Sequence, residues 1–135
     1  MRRIEVFFYG LFMDEELLRA KGVTPTELRP AVVRGFALRI GERATLVASD
    51  DHCVHGMLAA LSRADLDRLY SEPSLRGYRP ESVIANVPGG DAVPALCYNL
   101  IEPPSAEQHN PEYAARLRAL ADRLSFPADY VASIR

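Results

Sequence analysis

The chain lacks the features that mark several specialised classes of protein. It has only two cysteines, Cys53 and Cys97, which are too few for a disulfide framework. We therefore expect a reducing, cytoplasmic location, in which both thiols are buried as small apolar groups. No apolar stretch approaches the roughly 18 residues that a membrane-spanning helix needs. Glu5 also interrupts the short apolar run behind Arg2 and Arg3, so we expect no secretory signal.

A marked excess of charge of either sign is also missing. The 16 lysine and arginine residues nearly balance the 18 acidic residues, which gives a formal net charge of −2 at pH 7. This balance provides no electrostatic footprint for nucleic acid or for an acidic membrane, so we expect neither as a partner. The length of 135 residues and the apolar content of 48% predict a single globular domain over residues 1–135. The oligomeric state is left open.

Motifs for covalent catalysis and for metal binding are missing as well. No G-x-S-x-G nucleophile elbow occurs, and neither cysteine has a nucleophile motif around it. His52, Cys53 and His55 are residue types that suit zinc. Alternation along a strand would nevertheless send His52 and Cys53 to opposite faces, and His109 is isolated in the sequence. We therefore predict no metal site and no cofactor.

The N-terminal segment carries the most informative pattern. An apolar run over Val6–Phe8 stops at Tyr9-Gly10, and a helix start at Asp14 follows within four residues. This order predicts a strand, a tight loop and a helix, with backbone N–H groups that can face an anion or a developing oxyanion. Glycine at position 10 would let a ligand approach the main chain closely. The alternative is a strand that simply ends in a turn.

The rest of the chain alternates short strands with helices, as in an α+β domain. Asp14, Ser62 and Asn110 are expected to cap three helices, and Pro111 suits the first turn of the last one. Ser49–Asp51 predicts a turn, and Pro25 and Pro30 predict a loop. About six strands, mostly in antiparallel hairpins, are predicted at Ile4–Tyr9, Ala31–Ile40, Ala44–Ala48, Val54–Leu61, Tyr78–Val87 and Val93–Leu100.

Glu72 is the best candidate for proton transfer. It lies just beyond the predicted middle helix, between Tyr70 and Tyr78 in the sequence. Aromatic walls would desolvate the carboxylate and raise its pKa, as a general acid/base at neutral pH requires. The alternative is a solvated glutamate in a proline-containing loop. Glu81 and Glu102 are rival candidates with the same alternative explanation.

Together these segments resemble the γ-glutamylcyclotransferase superfamily, including its bacterial AIG2-like members. Phe8–Met13 resembles the family's Tyr-Gly-Ser-Leu loop, and Leu66–Leu69 followed by Glu72 and Gly77–Pro80 resembles its Leu-Asp-x-x-Glu-Gly…Tyr segment. Further matches follow the family's order along nearly the whole chain, at Gly35–Leu38, Ala44–Val47, Val54–Leu58, Asn110–Tyr113 and Phe126–Tyr130.

The resemblance implies a small β-barrel-like core flanked by short helices. It also implies a small-molecule γ-glutamyl substrate, which is cyclised to 5-oxoproline with release of an amine or amino acid. In this reaction the substrate's own α-amine attacks its γ-carbonyl, so neither an enzyme nucleophile nor a metal is required. The site residues that the resemblance implies are the general acid/base Glu72, the binding loop Tyr9, Gly10, Leu11 and Phe12, and the pocket-lining Tyr78 and Tyr113.

Two positions depart from the family pattern. Leu11 stands where the family has serine, and Tyr70 stands where the family glutamate directly follows Leu-Asp-x-x, so that Glu72 lies two residues late. These departures keep two alternatives open. One is a non-catalytic domain that binds a carboxylate ligand or another protein, and the other is an enzyme that cyclises γ-glutamylamines.

Overall fold

A closed β-barrel forms the centre of the molecule. The computed structural model describes residues 2–135. Within that range five strands form the barrel in the spatial order β1-β3-β2-β4-β5, and every neighbouring pair is antiparallel except β1 and β5, which close the barrel in parallel through Val6 and Leu96. The strands are β1 (Arg3–Phe8), β2 (Thr26–Ile40), β3 (Ala44–Ser62), β4 (Tyr78–Asn86) and β5 (Ala92–Leu100).

Short helices flank the barrel. They are α1 (Glu15–Ala20), α2 (Arg63–Leu69), α3 (Pro111–Arg123) and α4 (Ala128–Ser133), with 3₁₀ turns at Leu11–Met13 and Pro73–Leu75. The predicted caps are confirmed, because the side chains of Asp14, Ser62 and Asn110 accept hydrogen bonds from backbone N–H groups in the first turns of α1, α2 and α3. None of the helices in residues 2–135 is long and apolar enough to cross a membrane.

The α+β prediction is confirmed, but the strand count is five rather than about six. The predicted strands Ala44–Ala48 and Val54–Leu61 belong to the single strand β3, so the turn expected at Ser49–Asp51 is wrong. Pairing with β2 continues on both sides of this segment, where Ala48 pairs with Phe36 and Cys53 with Arg34. Residues 49–52 therefore bulge opposite Gly35 alone, whose φ of +86° suits glycine.

The loop expected at Pro25 and Pro30 is also partly wrong. Strand β2 begins at Thr26, and Pro30 pairs with Met57 of β3. The pairing is irregular between Thr26 and Arg29, where Glu27 has a φ of +55°. This irregularity lets the strand accommodate its proline next to a break in the ladder of hydrogen bonds.

The hydrophobic core fills the barrel and continues beneath α3. Leu117 and Ala121 of α3 are almost completely buried, as are Val6 and Leu58 in the barrel wall. Burying a valine or leucine side chain is worth roughly 1.5–3 kcal/mol, so the barrel and α3 stabilise each other.

The two cysteines differ in environment. Cys97 is buried in β5, as expected, and burial raises the pKa of its thiol to about 12. Cys53 is exposed on β3, so the expectation that both thiols are buried is wrong. Cys53 directly follows the 49–52 bulge, and the preceding residues Asp50–His52 are exposed as well. Both cysteines are free thiols.

Gly56 provides a test of how tightly β1 packs on β3. A Cβ at this position would lie against the backbone oxygen of Phe8 and 2.6 Å from Cζ of Phe7. We expect Gly56→Ala to lower the free energy of unfolding by about 1–3 kcal/mol, the usual cost of overpacking a core. Urea unfolding measures this change. Gly77→Ala is the control, because its Cβ would meet only the end of the Leu100 side chain at 3.3 Å. Equal stability of the two variants would contradict this account.

Candidate functional site

A cavity of about 300 Å³ opens at one end of the barrel. Its wall combines the end of β1, the turn between β2 and β3, the segment after α2, the start of β4 and one face of α3. Its volume is at the lower end of the range for small-molecule sites. The structure places every residue predicted for the site on this wall: Tyr9, Gly10, Leu11, Phe12, Glu72, Tyr78 and Tyr113.

The loop after β1 is shaped by a tyrosine from α3. A Cβ at Gly10 would lie 2.9 Å from the hydroxyl of Tyr113. A side chain at position 10 would therefore have to displace the hydroxyl end of Tyr113, and it would also crowd any ligand that approaches the main chain. The loop then closes as a 3₁₀ turn, in which the N–H of Met13 donates to the backbone oxygen of Gly10 at 3.0 Å. Burial raises the pKa of Tyr113, and the nearby N–H of Leu11 partly opposes that rise.

Two other tyrosines fix the wall of the cavity. The hydroxyl of Tyr9 donates to the backbone oxygen of Tyr98 at 2.7 Å, which links β1 to β5. The hydroxyl of Tyr78 donates to the backbone oxygen of Ala44 at the start of β3. Burial raises the pKa of both phenols, so both stay neutral at physiological pH. They are rigid parts of the wall rather than bases.

Tyr70 occupies the position where the resemblance expects a glutamate, and it also lines the cavity. Its ring stacks on that of Tyr98, with centroids 3.8 Å apart and planes within 10°. The edge of Phe12 approaches it with centroids 6.0 Å apart. Burial raises the pKa of Tyr70 well above its ordinary value. A neutral aromatic group therefore stands at this point of the wall.

Glu72 has a different environment from the one predicted. Its Oε1 accepts a hydrogen bond from Nζ of Lys21 at 2.5 Å, and 41% of its side chain is exposed. The hydrogen bond from Lys21 lowers the pKa of Glu72, and the charges of Lys21 and Arg43 lower it further. The prediction that aromatic walls raise this pKa is therefore wrong. The carboxylate lies at the open edge of the cavity, beside an ammonium group and in contact with water.

The rival carboxylates lie outside the cavity. Glu81 is exposed on β4 and accepts a hydrogen bond from Nδ2 of Asn99 at 2.9 Å. Glu102 follows β5 and is also exposed. Neither contributes to the cavity wall, where Glu72 is the carboxylate present.

The histidine and cysteine cluster has ordinary structural contacts. Nδ1 of His52 lies 2.6 Å from the hydroxyl of Ser49 within the bulge of β3. The ring of His55 packs on Tyr130, with centroids 4.8 Å apart, and burial lowers the pKa of His55. Across residues 2–135 the structure brings together no group of three or more histidine, cysteine or acidic side chains that could hold a metal ion.

Sequence reasoning missed three cationic residues of the cavity. Lys21 follows α1, Arg43 lies in the turn between β2 and β3, and Arg116 lies on α3. Arg116 is three residues after Tyr113, and this spacing places both side chains on one face of a helix. That signal could have found Arg116. Lys21 and Arg43 reach the site only through the fold, and no local pattern marks them.

The amino-acid sequence itself matches a known protein family. Residues 6–116 match the family described as gamma-glutamyl cyclotransferase, AIG2-like. The chain belongs to this family. A search of curated proteins found no match to this chain.

Solved structures share the fold of this AIG2-like chain at low sequence identity. A structure named gamma-glutamyl cyclotransferase has a TM-score of 0.82 at 18% identity, and the match covers 99% of this chain and 89% of the other. YkqA from Bacillus subtilis has a TM-score of 0.76 at 20% identity, with coverage of 98% and 52%. An AIG2-like protein from Mus musculus has a TM-score of 0.58 at 18% identity, with coverage of 83% and 91%.

The Lys21–Glu72 pair gives a direct test of the electrostatics of the site. We expect Lys21→Met to raise the pKa of Glu72 toward its ordinary value, because the ammonium group favours the ionised carboxylate. Carbon-detected NMR titration of the side-chain carboxyl groups measures this pKa, and Glu72→Gln identifies the resonance. Lys21→Arg is the matched control and should keep the pKa low. An unchanged pKa in Lys21→Met would refute the assigned pairing.

The same pair has a defined effect on stability. Because the pKa of Glu72 is lowered in the folded state, the pair stabilises the fold above the unfolded-state pKa of the carboxyl. This contribution is lost as the pH falls through the lowered folded-state pKa. The two side chains are 30% and 41% exposed, so solvent keeps the contribution small.

Proposed function

We propose that this protein cyclises a γ-glutamyl amide to 5-oxoproline and releases an amine or amino acid. The observation that carries the proposal is the single cavity shared by Glu72 and the loop of Tyr9, Gly10, Leu11 and Phe12. Membership of the gamma-glutamyl cyclotransferase, AIG2-like family supports it. Glu72 transfers the proton in this reaction, and the loop and the aromatic wall hold the glutamyl unit.

In this reaction the protein does not need to form a covalent bond with the substrate. The α-amino nitrogen of the substrate bonds to its γ-carbonyl carbon, and the bond from that carbon to the leaving nitrogen breaks. The α-ammonium loses two protons: one goes to water, or at neutral pH to the departed amine, and the other passes to the leaving nitrogen as its bond to carbon breaks. Ring closure within one molecule supplies the proximity, so the protein needs only to orient the chain and to carry that proton.

The environment of Glu72 favours the release of a proton to the leaving nitrogen over the uptake of a proton from the α-ammonium. Lys21 keeps Glu72 ionised at neutral pH, so the carboxylate is ready to accept a proton. The lowered pKa makes it a weaker base, and this costs rate in the first transfer. Once protonated beside Lys21 it is a stronger acid, which favours return of the proton to the leaving nitrogen.

The loop after β1 stabilises the negative charge of the substrate. Backbone N–H groups at the start of the 3₁₀ turn can face the substrate carboxylate or the oxyanion of the tetrahedral intermediate. Leucine at position 11 removes the family's hydroxyl group but keeps the backbone donor. The hydroxyl of Tyr113 lies beside this donor and limits the space that a ligand oxygen can take.

A second candidate function is non-catalytic binding of a carboxylate ligand in the same cavity. Two observations favour it. Lys21 already engages one carboxylate oxygen of Glu72, and the neutral Tyr70 fills the position where the family pattern has its glutamate. In this case the cavity binds the ligand and the protein releases no 5-oxoproline.

Glu72→Gln is the decisive variant for catalysis. It keeps the shape of the side chain and removes the proton acceptor, so we expect turnover to fall by about 10²–10⁴-fold, the usual worth of general acid/base catalysis. The measurement is release of 5-oxoproline from γ-glutamyl dipeptides by chromatography. Stability should change little, because Glu72 is 41% exposed and its ion pair with Lys21 contributes little.

Glu102→Gln is the matched control, since Glu102 is exposed and lies outside the cavity. It should keep full turnover. Turnover in Glu72→Gln equal to that of Glu102→Gln would remove Glu72 from the mechanism. Binding of γ-glutamyl dipeptides without any release of 5-oxoproline by the unmodified protein would favour the second candidate.

A further inference from the structure

The cavity carries two arginines whose charge is not balanced by the protein. Arg43 and Arg116 line its wall. Within residues 2–135 neither forms an ion pair with a carboxylate. Lys21 is already paired with Glu72 at the edge of the cavity. The guanidinium groups of Arg43 and Arg116 therefore leave the wall with two uncompensated positive charges.

The two arginines lie toward the open side of the tyrosine wall. Arg43 is close enough to Glu72, Tyr78 and Tyr113 to lower the pKa of each, and Arg116 acts on Tyr113 in the same way. Arg43 is half-buried and Arg116 is exposed. Their charges thus act on the same wall as Glu72 and Tyr113, and their exposure leaves them accessible to a ligand.

The charge of the glutamyl unit does not account for these arginines. Its α-carboxylate and α-ammonium cancel, and backbone N–H groups of the loop can hold the carboxylate without any cationic side chain. Guanidinium groups match carboxylates in shape and hydrogen-bonding pattern. The two positive charges are therefore available to the leaving part of the substrate, which follows the γ-carbonyl.

We propose that Arg43 and Arg116 select substrates whose leaving part is an acidic amino acid, with two carboxylates to face the two guanidinium groups. This inference rests on the proposed cyclisation and specifies its substrate class. It orders the possible leaving parts by charge: an acidic amino acid binds best, a neutral amino acid with one carboxylate binds less well, and a simple amine binds least.

The experiment measures binding with ligands that cannot react. Glutaryl-aspartate, glutaryl-alanine and glutaryl-ethylamide lack the α-amine, so they cannot close the ring, and they differ only in the carboxylates of the leaving part. Calorimetry on the unmodified protein should give an affinity that rises by about fivefold or more with each carboxylate, allowing for the exposure of the arginines. Added salt should reduce the differences, because exposed charges are screened.

Variants assign the effect to the two arginines. Arg43→Gln and Arg116→Gln should each reduce the preference, and the double variant should bind all three ligands about equally. Arg34→Gln is the matched control, because Arg34 is exposed on β2 and does not line the cavity. It should keep the preference unchanged. Equal affinities for the three ligands in the unmodified protein, or a preference that survives in the double variant, would overturn the proposal.

Turnover of the matching γ-glutamyl compounds separates this proposal from the proposed function. A preference in binding without release of 5-oxoproline refutes the cyclisation and leaves the ligand preference standing. Release of 5-oxoproline at equal rates from all three compounds, together with equal binding of the glutaryl series, supports the cyclisation and refutes the role of the arginines.

Discussion

The position of β1 in the closed barrel is the constraint on which the site depends. This strand lies between β3 and β5, and it is the one that closes the barrel by parallel pairing. Its last residues enter the loop that forms one side of the cavity, and the hydroxyl of Tyr9 fixes that loop to the backbone of β5. Gly56 on β3 lets β1 approach closely enough for this arrangement. A shift of β1 would therefore move the whole loop over Tyr9–Phe12 that lines the cavity.

Local signals in the sequence were enough to predict much of this architecture. The apolar run that ends at Tyr9-Gly10 and the caps at Ser62 and Asn110 depend on neighbouring residues, and the structure has them as predicted. The bulge opposite Gly35 was not predictable in this way, because it is set by the register between β2 and β3. A polar segment such as Ser49–Asp51 has the composition of a turn whether the chain reverses there or only bulges.

The candidate site also combines features that the sequence predicts with features that depend on the fold. All residues predicted for the site line one cavity. That prediction was based on the resemblance of the sequence to the family. It did not give the pKa of Glu72, because the nearest charge belongs to Lys21, 51 residues away in the sequence. The tyrosines that flank Glu72 in sequence line the cavity too, yet they leave the carboxylate in contact with water and the ammonium group. A pKa depends on spatial neighbours, and only the fold supplies these.

The contrast between Glu72 and the tyrosines determines what chemistry the cavity can support. Burial keeps Tyr9, Tyr70 and Tyr78 neutral, so none of them can accept a proton at physiological pH. Glu72 is the carboxylate that lines this wall, and its lowered pKa keeps it ionised at neutral pH. Lys21 favours the ionised form of Glu72 and so disfavours its protonation, although the 41% exposure of this side chain keeps the effect small. In the proposed cyclisation the Lys21–Glu72 pair therefore opposes protonation of Glu72, whereas binding of an anion has no such requirement.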